Sequence, residues 1–239
     1  MTGMPMIHRR HRPLLVLAAA GLAACGSSGS STASPTAVAE QARSAQQIHD
    51  DFLAAMASER SVHIAGHRVD SGGSSNDIDV LDTQSAASIT LTVQGTSIHL
   101  VVTPDRVYAS QSRNGPWLTA PADLATNARS LTLASTVRCG RLEHGGLTRG
   151  AVSTVNGRRV VAVEDDGRAP GASPSTLYVS VTGPPRLVRV VQHAVATPGG
   201  RPDCGQAGSG GSPGVSNATF DFSEWGAAVT VTPPPSAAL

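Results

Sequence analysis

The chain has 239 residues, 40% apolar and 15% charged, with a formal net charge of +1 at pH 7. That balance offers no basic stripe of the sort nucleic acid requires. All 18 basic residues are arginine; without lysine there is no P-loop, kinase or Schiff-base lysine, and those enzyme classes are excluded.

At the amino terminus, Arg9, Arg10 and Arg12 precede an uncharged run from Leu14 to Ala24 that ends in small residues. A basic start, a short apolar middle and a small-residue end form a secretory signal over residues 1–24. The run is roughly half the ~20 residues a spanning helix needs. Arg9-Arg10 is similar to a twin-arginine signal, but His11-Arg12-Pro13 does not continue that pattern, so the export route stays open. Leu22-Ala23-Ala24-Cys25 resembles the lipobox of bacterial lipoproteins, which implies that Cys25 is acylated, with palmitate-type chains, and becomes the first mature residue. The alternative is an ordinary cleavage site ending near a cysteine. Two or more acyl chains anchor a protein firmly where one holds only marginally. Residues 25–34, Gly- and Ser-rich after the cysteine, read as a tether. The expected location is therefore the extracytoplasmic face of the cell membrane.

The remainder, 35–235, reads as one domain. Ser34-Pro35 suits a helix start, and a helix is predicted from there to about Ser58, with Ala45, Ile48, Phe52 and Met56 forming one apolar stripe. The period then changes to two. Strands are predicted at 61–69, 77–81, 88–93, 97–103 and 106–111, with "QGTS" turning the chain between the third and fourth. Residues 121–136 read as a short second helix. A second set follows at 151–155, 158–164, 176–182, 186–195, 218–225 and 228–232. Asn156-Gly157 is the strongest hairpin signal. Residues 196–216 are Gly- and Pro-rich and read as a mobile loop. About ten strands joined by short turns predict an α+β protein, an antiparallel sheet with helix against one face.

Beyond Cys25 stand Cys139 and Cys204, both in sequence that reads as irregular. An even pair in an exported protein predicts a disulfide, here a staple between two loops. Candidate chemistry is thin. Gly210-Gly211-Ser212-Pro213-Gly214 has the form of a nucleophile elbow, but Pro213 stands where a backbone N–H must serve the oxyanion. His63 and His67 on one strand lie about 13 Å apart, too far for one metal. His49, His99, His144 and His193 have no ligand partner in the sequence. Asp77, Asp79 and Asp82 lack the glycine and glutamate of a calcium loop. Glu164-Asp165-Asp166-Gly167 reads as a charged turn. No catalytic residue, metal or cofactor is assigned.

What remains is the apolar side of the sheet: Ile78, Val80, Ile89, Leu91, Val93, Ile98, Leu100, Val102, Leu177, Val179, Val181, Phe220 and Phe222. These residues either fill an ordinary core or line a cavity between a curved sheet and its helix, able to hold acyl chains.

The order of lipobox, tether, helix and strands with Tyr108 and Trp117 resembles the LppX/LprG group of mycobacterial-type lipoproteins. So do Asn156-Gly157 before "RRVVAVEDD", "LYVSVTGPPRLVRV" (177–190) and "FDFSEWGAAVTVTPP" (220–234). The likeness covers most of 36–235. It implies a curved half-barrel similar to LolA and LolB, covered by helices and enclosing a hydrophobic cavity. Members of the group bind acylated lipids or glycolipids and move them through the envelope. The expectation is a membrane-anchored lipid-binding protein that transfers its cargo with an envelope transporter as partner. The alternative is a non-transporting interaction or sensor module.

Overall fold

The computed structural model describes residues 43–70, 72–204 and 215–234. The signal segment, Cys25, the tether and 35–42 lie outside the described residues, as does the Gly210–Gly214 stretch.

Helix α1 (Ala45–Ser58) is capped by Ser44, and the part of the predicted helix that precedes it, with Ser34-Pro35, lies outside the described residues. Ser44 is extended; its Oγ accepts the Gln47 N–H at 3.1 Å, and the Gln47 side chain accepts the Ser44 N–H at 2.9 Å. This reciprocal box satisfies two N–H groups that a helix start leaves free. The stripe Ala45, Ile48, Phe52 and Met56 is buried, joined by His49 and Leu53.

Five strands and a two-residue sixth follow: β1 (Ser61–Asp70), β2 (Ser75–Thr83), β3 (Ala87–Val93), β4 (Thr96–Val102), β5 (Val107–Ser110) and β6 (Leu118–Thr119). Two helices come next, α2 (Ala122–Ser130) and α3 (Leu133–Leu142). The chain then returns through β7 (Leu147–Val155), β8 (Arg158–Asp165), β9 (Ser175–Ser180), β10 (Leu187–Gln192) and β11 (Val215–Ser223). All pairings are antiparallel, in the order β6-β5-β4-β3-β2-β1-β11-β10-β9-β8-β7. Gln94-Gly95 and Asn156-Gly157 turn their hairpins with positive φ at both positions, the twist-matched geometry that favours Asn and Gly.

Three expectations are corrected. The helical stretch expected in 121–136 is two helices, because Thr132 caps a second one that buries Leu133 and Val137. It continues through Cys139, which is helical rather than in a loop; Cys204 ends a short 3-10 turn. Residues 228–232 alternate like a strand yet form none. Both edges of β1 are already occupied by β2 and β11. The two residues just before the segment are tied to the start of β1 instead: Gly226 N–H donates to Ser61 O, and Ser61 Oγ–H to Ala227 O.

The helices show that the sheet is bent. α1 packs on β7 and β8, α2 packs on β4 and β5, and α3 lies between, touching both other helices. From β5 to β8 is eight strand steps, about 38 Å if the sheet were flat at ~4.8 Å per step. Two helix spacings of ~8–10 Å reach only about 20 Å. The sheet therefore curls around the helices as a half-barrel, and the segment from β6 to β7 crosses its concave side. Gly66 allows the closest approach within the sheet, since a Cβ there would lie 2.2 Å from the Phe220 ring.

Candidate ligand-binding concavity

Register sorts the inner face into rows. At one end Val107, Val102, Ala87, Asp82 and Val62 are paired in sequence across the strands. Next come Leu100, Ile89, Val80, Ile64 and Phe222, all buried. A third row runs Ile98, Leu91, Ile78, Gly66, Phe220, Val190, Leu177 and Val163. The last turns polar: Thr96, Val93, Asn76, Arg68, Ala218, Gln192, Ser175 and Asp165.

The expected lining residues divide along these rows. Ile78, Val80, Ile89, Leu100, Val102, Val179 and Phe222 are buried in the core. Leu91, Ile98, Leu177, Val181 and Phe220 are half-buried against it, and Val93 is 40% exposed. Side chains thus fill the middle of the concavity.

Space remains on either side of that filled middle. A cleft of about 500 Å³ opens between the β2–β3 and β4–β5 turns and helices α2 and α3, with Asp82, Val102, Arg129 and Arg138 in its wall. A second, of about 240 Å³, lies between α1, α3 and the inner face of β8–β10, bordered by His49, Leu53, Leu177, Leu187 and Val190. The first falls within the ~300–1,000 Å³ of typical ligand pockets and the second just below it. Of the expected lining residues, Val102 borders the larger cleft and Leu177 the smaller. Sequence reasoning missed Leu53, Leu187 and Val190, although all three lie in the predicted helix or strands; which of them faces a gap depends on where the helices dock.

Each cleft holds one perturbed group. Asp82 is buried among apolar residues and is pushed up to about 6, only partly offset by the Leu133 N–H it accepts at 2.9 Å. In the smaller cleft, burial lowers His49, and the His144 ring 4.8 Å away adds to the effect. Phe52 meets the same imidazole edge-on at 5.1 Å. Cys139 and Cys204 are joined by a disulfide with Cα atoms 5.5 Å apart, and both border this cleft. The link pins the chain after β10 to α3, reinforced by Arg138 donating to the Asp203 carbonyl at 2.7 Å.

The remaining candidates are dispersed. His63 pairs with Asp79 at 2.9 Å and His67 with Asp77 at 2.8 Å, on the outer face, whereas Asp82 points inward. His99 meets Thr90, and His193 meets Thr176. Asp165 accepts the N–H groups of Gly145 and Gly167, holding a turn. Among the described residues no three His, Cys, Asp or Glu side chains are grouped to hold a metal ion.

The curled antiparallel sheet with helices in its concavity is the LppX/LprG-like fold that the sequence resemblance implies. Among solved structures, LprF from Mycobacterium bovis is similar at 20% identity and a TM-score of 0.52, covering 80% of this chain and 96% of that one. MucB aligns at 12% identity and a TM-score of 0.42, over 79% of this chain and 60% of MucB, and nothing is built on it. No protein-family profile and no curated protein matches the chain.

Proposed function

We propose that the protein is an envelope lipoprotein, anchored through acylated Cys25 at the extracytoplasmic face, that binds acylated lipid or glycolipid in its concavity and passes it on. The observation that carries this reading is the half-buried inner row of Leu91, Ile98, Phe220, Val190 and Leu177, apolar surface left incompletely covered inside an LprF-like fold. Burying such surface against hydrocarbon is worth about 25 cal/mol per Å² before ordering costs. Cargo is exchanged by shielding acyl chains, with no bond made or broken, and an envelope transporter is the expected partner. Among the described residues no helix is long and apolar enough to cross a membrane; what supports an anchor at Cys25 is the lipobox-like Leu22-Ala23-Ala24-Cys25.

The test is native mass spectrometry of protein taken from its own membranes, followed by solvent extraction. A co-purifying acylated lipid is the expected result. The packed central row, with Ile89 and Leu100 fully buried, favours a second reading, a non-transporting interaction or sensor module. Protein recovered consistently empty, and binding no added lipid, would select it. For the anchor, Cys25→Ala is expected to abolish acylation and release the protein from the membrane fraction.

A further inference from the structure

The polar end of the inner face contains one cation, Arg68, in a row whose carboxylate, Asp165, stands at its far end on β8. Arg68 follows Val62, Ile64 and Gly66 on the inward side of β1, beside Asn76 on β2 and Ala218 on β11. It is half-buried, and its Nε donates to Asn76 Oδ1 at 2.6 Å. Among the described residues no carboxylate forms an ion pair with it, and only Asp70 acts on it as an opposing charge, through space. Burial disfavours its charge accordingly.

Two half-buried arginines of the second meander and its turn, Arg186 and Arg189, are neutralised. Arg186 meets Glu59 at 2.6 Å, and Arg189 meets Asp221 at 2.7 Å. Removing a guanidinium from water without a counter-charge is costly. A planar fork held by its Nε, with the terminal nitrogens left for a partner, is suited to a phosphate or carboxylate. Apolar Leu91, Ile98, Phe220 and Val190 occupy the adjoining row.

We propose that Arg68, positioned by Asn76, receives the anionic headgroup of an amphiphile whose acyl chains lie along Leu91, Ile98, Phe220 and Val190. This rests on the lipid-binding reading above and adds the chemical class of cargo, a phosphate- or carboxylate-bearing lipid.

The experiment uses the full acylated protein in neutral detergent, loaded with a fluorescent fatty-acyl probe. Displacement is compared for dioleoylphosphatidylglycerol and for dioleoylglycerol, which has the same chains and no charge. The anionic lipid is expected to compete roughly tenfold better, the ratio that ~1.4 kcal/mol supplies. Arg68→Gln should erase that preference and leave dioleoylglycerol competition unchanged, while Arg68→Lys should keep part of it. A melting curve for each variant establishes that it is folded. Equal competition by both lipids, or a preference that survives in Arg68→Gln, would overturn the headgroup site and leave the carrier reading standing. A protein that binds neither probe nor lipid would overturn both. Inorganic phosphate is the third arm: Arg68-dependent phosphate binding without lipid binding would make this a free-anion site and end the headgroup assignment.

Discussion

The half-barrel joins two meanders of unlike regularity. From β1 to β6 each strand pairs with the next in unbroken register, and the inner positions Val80, Ile89 and Leu100 are sealed. From β7 to β11 the register shifts between Arg149 and Val152 and again between Leu187 and Arg189. Such irregularities bend a strand and re-aim its side chains. Leu177 and Val190 stay half-buried there, and the smaller cleft opens above them beside α1 and α3. Strict alternation on a short-turn meander seals the middle row and leaves its cleft at the strand turns; the bulged half leaves space over its inner face, which helix α3 and the disulfide then border.

The largest way to disturb this contrast is to cut the staple on the irregular side. Cys139 and Cys204 are 65 residues apart, and closing a loop of that size is worth about 4 kcal/mol in the loop-entropy model. Replacing both cysteines with serine should lower stability by about that amount in denaturant unfolding. Hydrogen exchange should speed up first around α3 and the chain after β10, leaving β2–β4 protected; uniform acceleration would mean that the two halves open as one. The sealed wall is probed by Leu100→Ala. Removing this fully buried side chain should cost about 3 kcal/mol, within the usual range for core leucines. The matching change on the other side, Val190→Ala, should cost about 1 kcal/mol or less because the side chain is only half-buried. It should nevertheless weaken acyl-probe binding, where Leu100→Ala is expected to act chiefly on stability.

The two halves also differ in how far they can be read from sequence. Period-two alternation in "SITLTV" and "SIHLVVT" places Ile89, Leu91, Ile98 and Leu100 on one face without further help. In β8, Val160, Val161, Ala162 and Val163 are all buried, so an unbroken apolar run conceals which face is inner. The disulfide was legible because only two cysteines follow Cys25. Helix α3 was not, since Arg138, Gly140 and Arg141 interrupt its apolar pattern and its start depends on the Thr132 cap. Residues 228–232 carry a good strand pattern but have no vacant edge at β1 to join, which only topology reveals. The clefts are the least legible feature, because they are gaps set by helix docking. Arg68 had a signal, since alternation from Val62 and Ile64 already aims it inward.

Electrostatics separates the two clefts by the sign of their pH dependence. In the larger, the native state favours the protonated form of Asp82, whose pKa is raised from an ordinary 3.8 to about 6. Between those values the folded protein holds more protons than the unfolded chain, so stability declines as pH rises from about 4 to 6 and levels off above. At neutral pH the buried carboxylate costs about 3 kcal/mol at ~1.4 kcal/mol per unit. Asp82→Asn can still accept the Leu133 N–H through its amide oxygen. It should therefore be more stable than the parent at pH 7, by up to about 3 kcal/mol, with the gain vanishing near pH 4. Parallel stability curves for the two proteins would refute the assignment.

The smaller cleft should show the opposite slope and the smallest effect. Burial, with the His144 ring beside it, lowers the pKa of His49 below its ordinary 6.5, and Asp50 and Asp165 offset part of that shift. The unfolded chain then takes up a proton that the folded imidazole resists, so stability is lost as pH falls below about 6.5. His49→Phe removes the titrating group while keeping an aromatic ring among Phe52 and His144. Its unfolding free energy should change less than the parent's between pH 7 and 5, measured in the Asp82→Asn background so that the opposing slope of the larger cleft is absent. If the two curves keep the same slope in that background, His49 is not the group that makes the irregular half sensitive to acid.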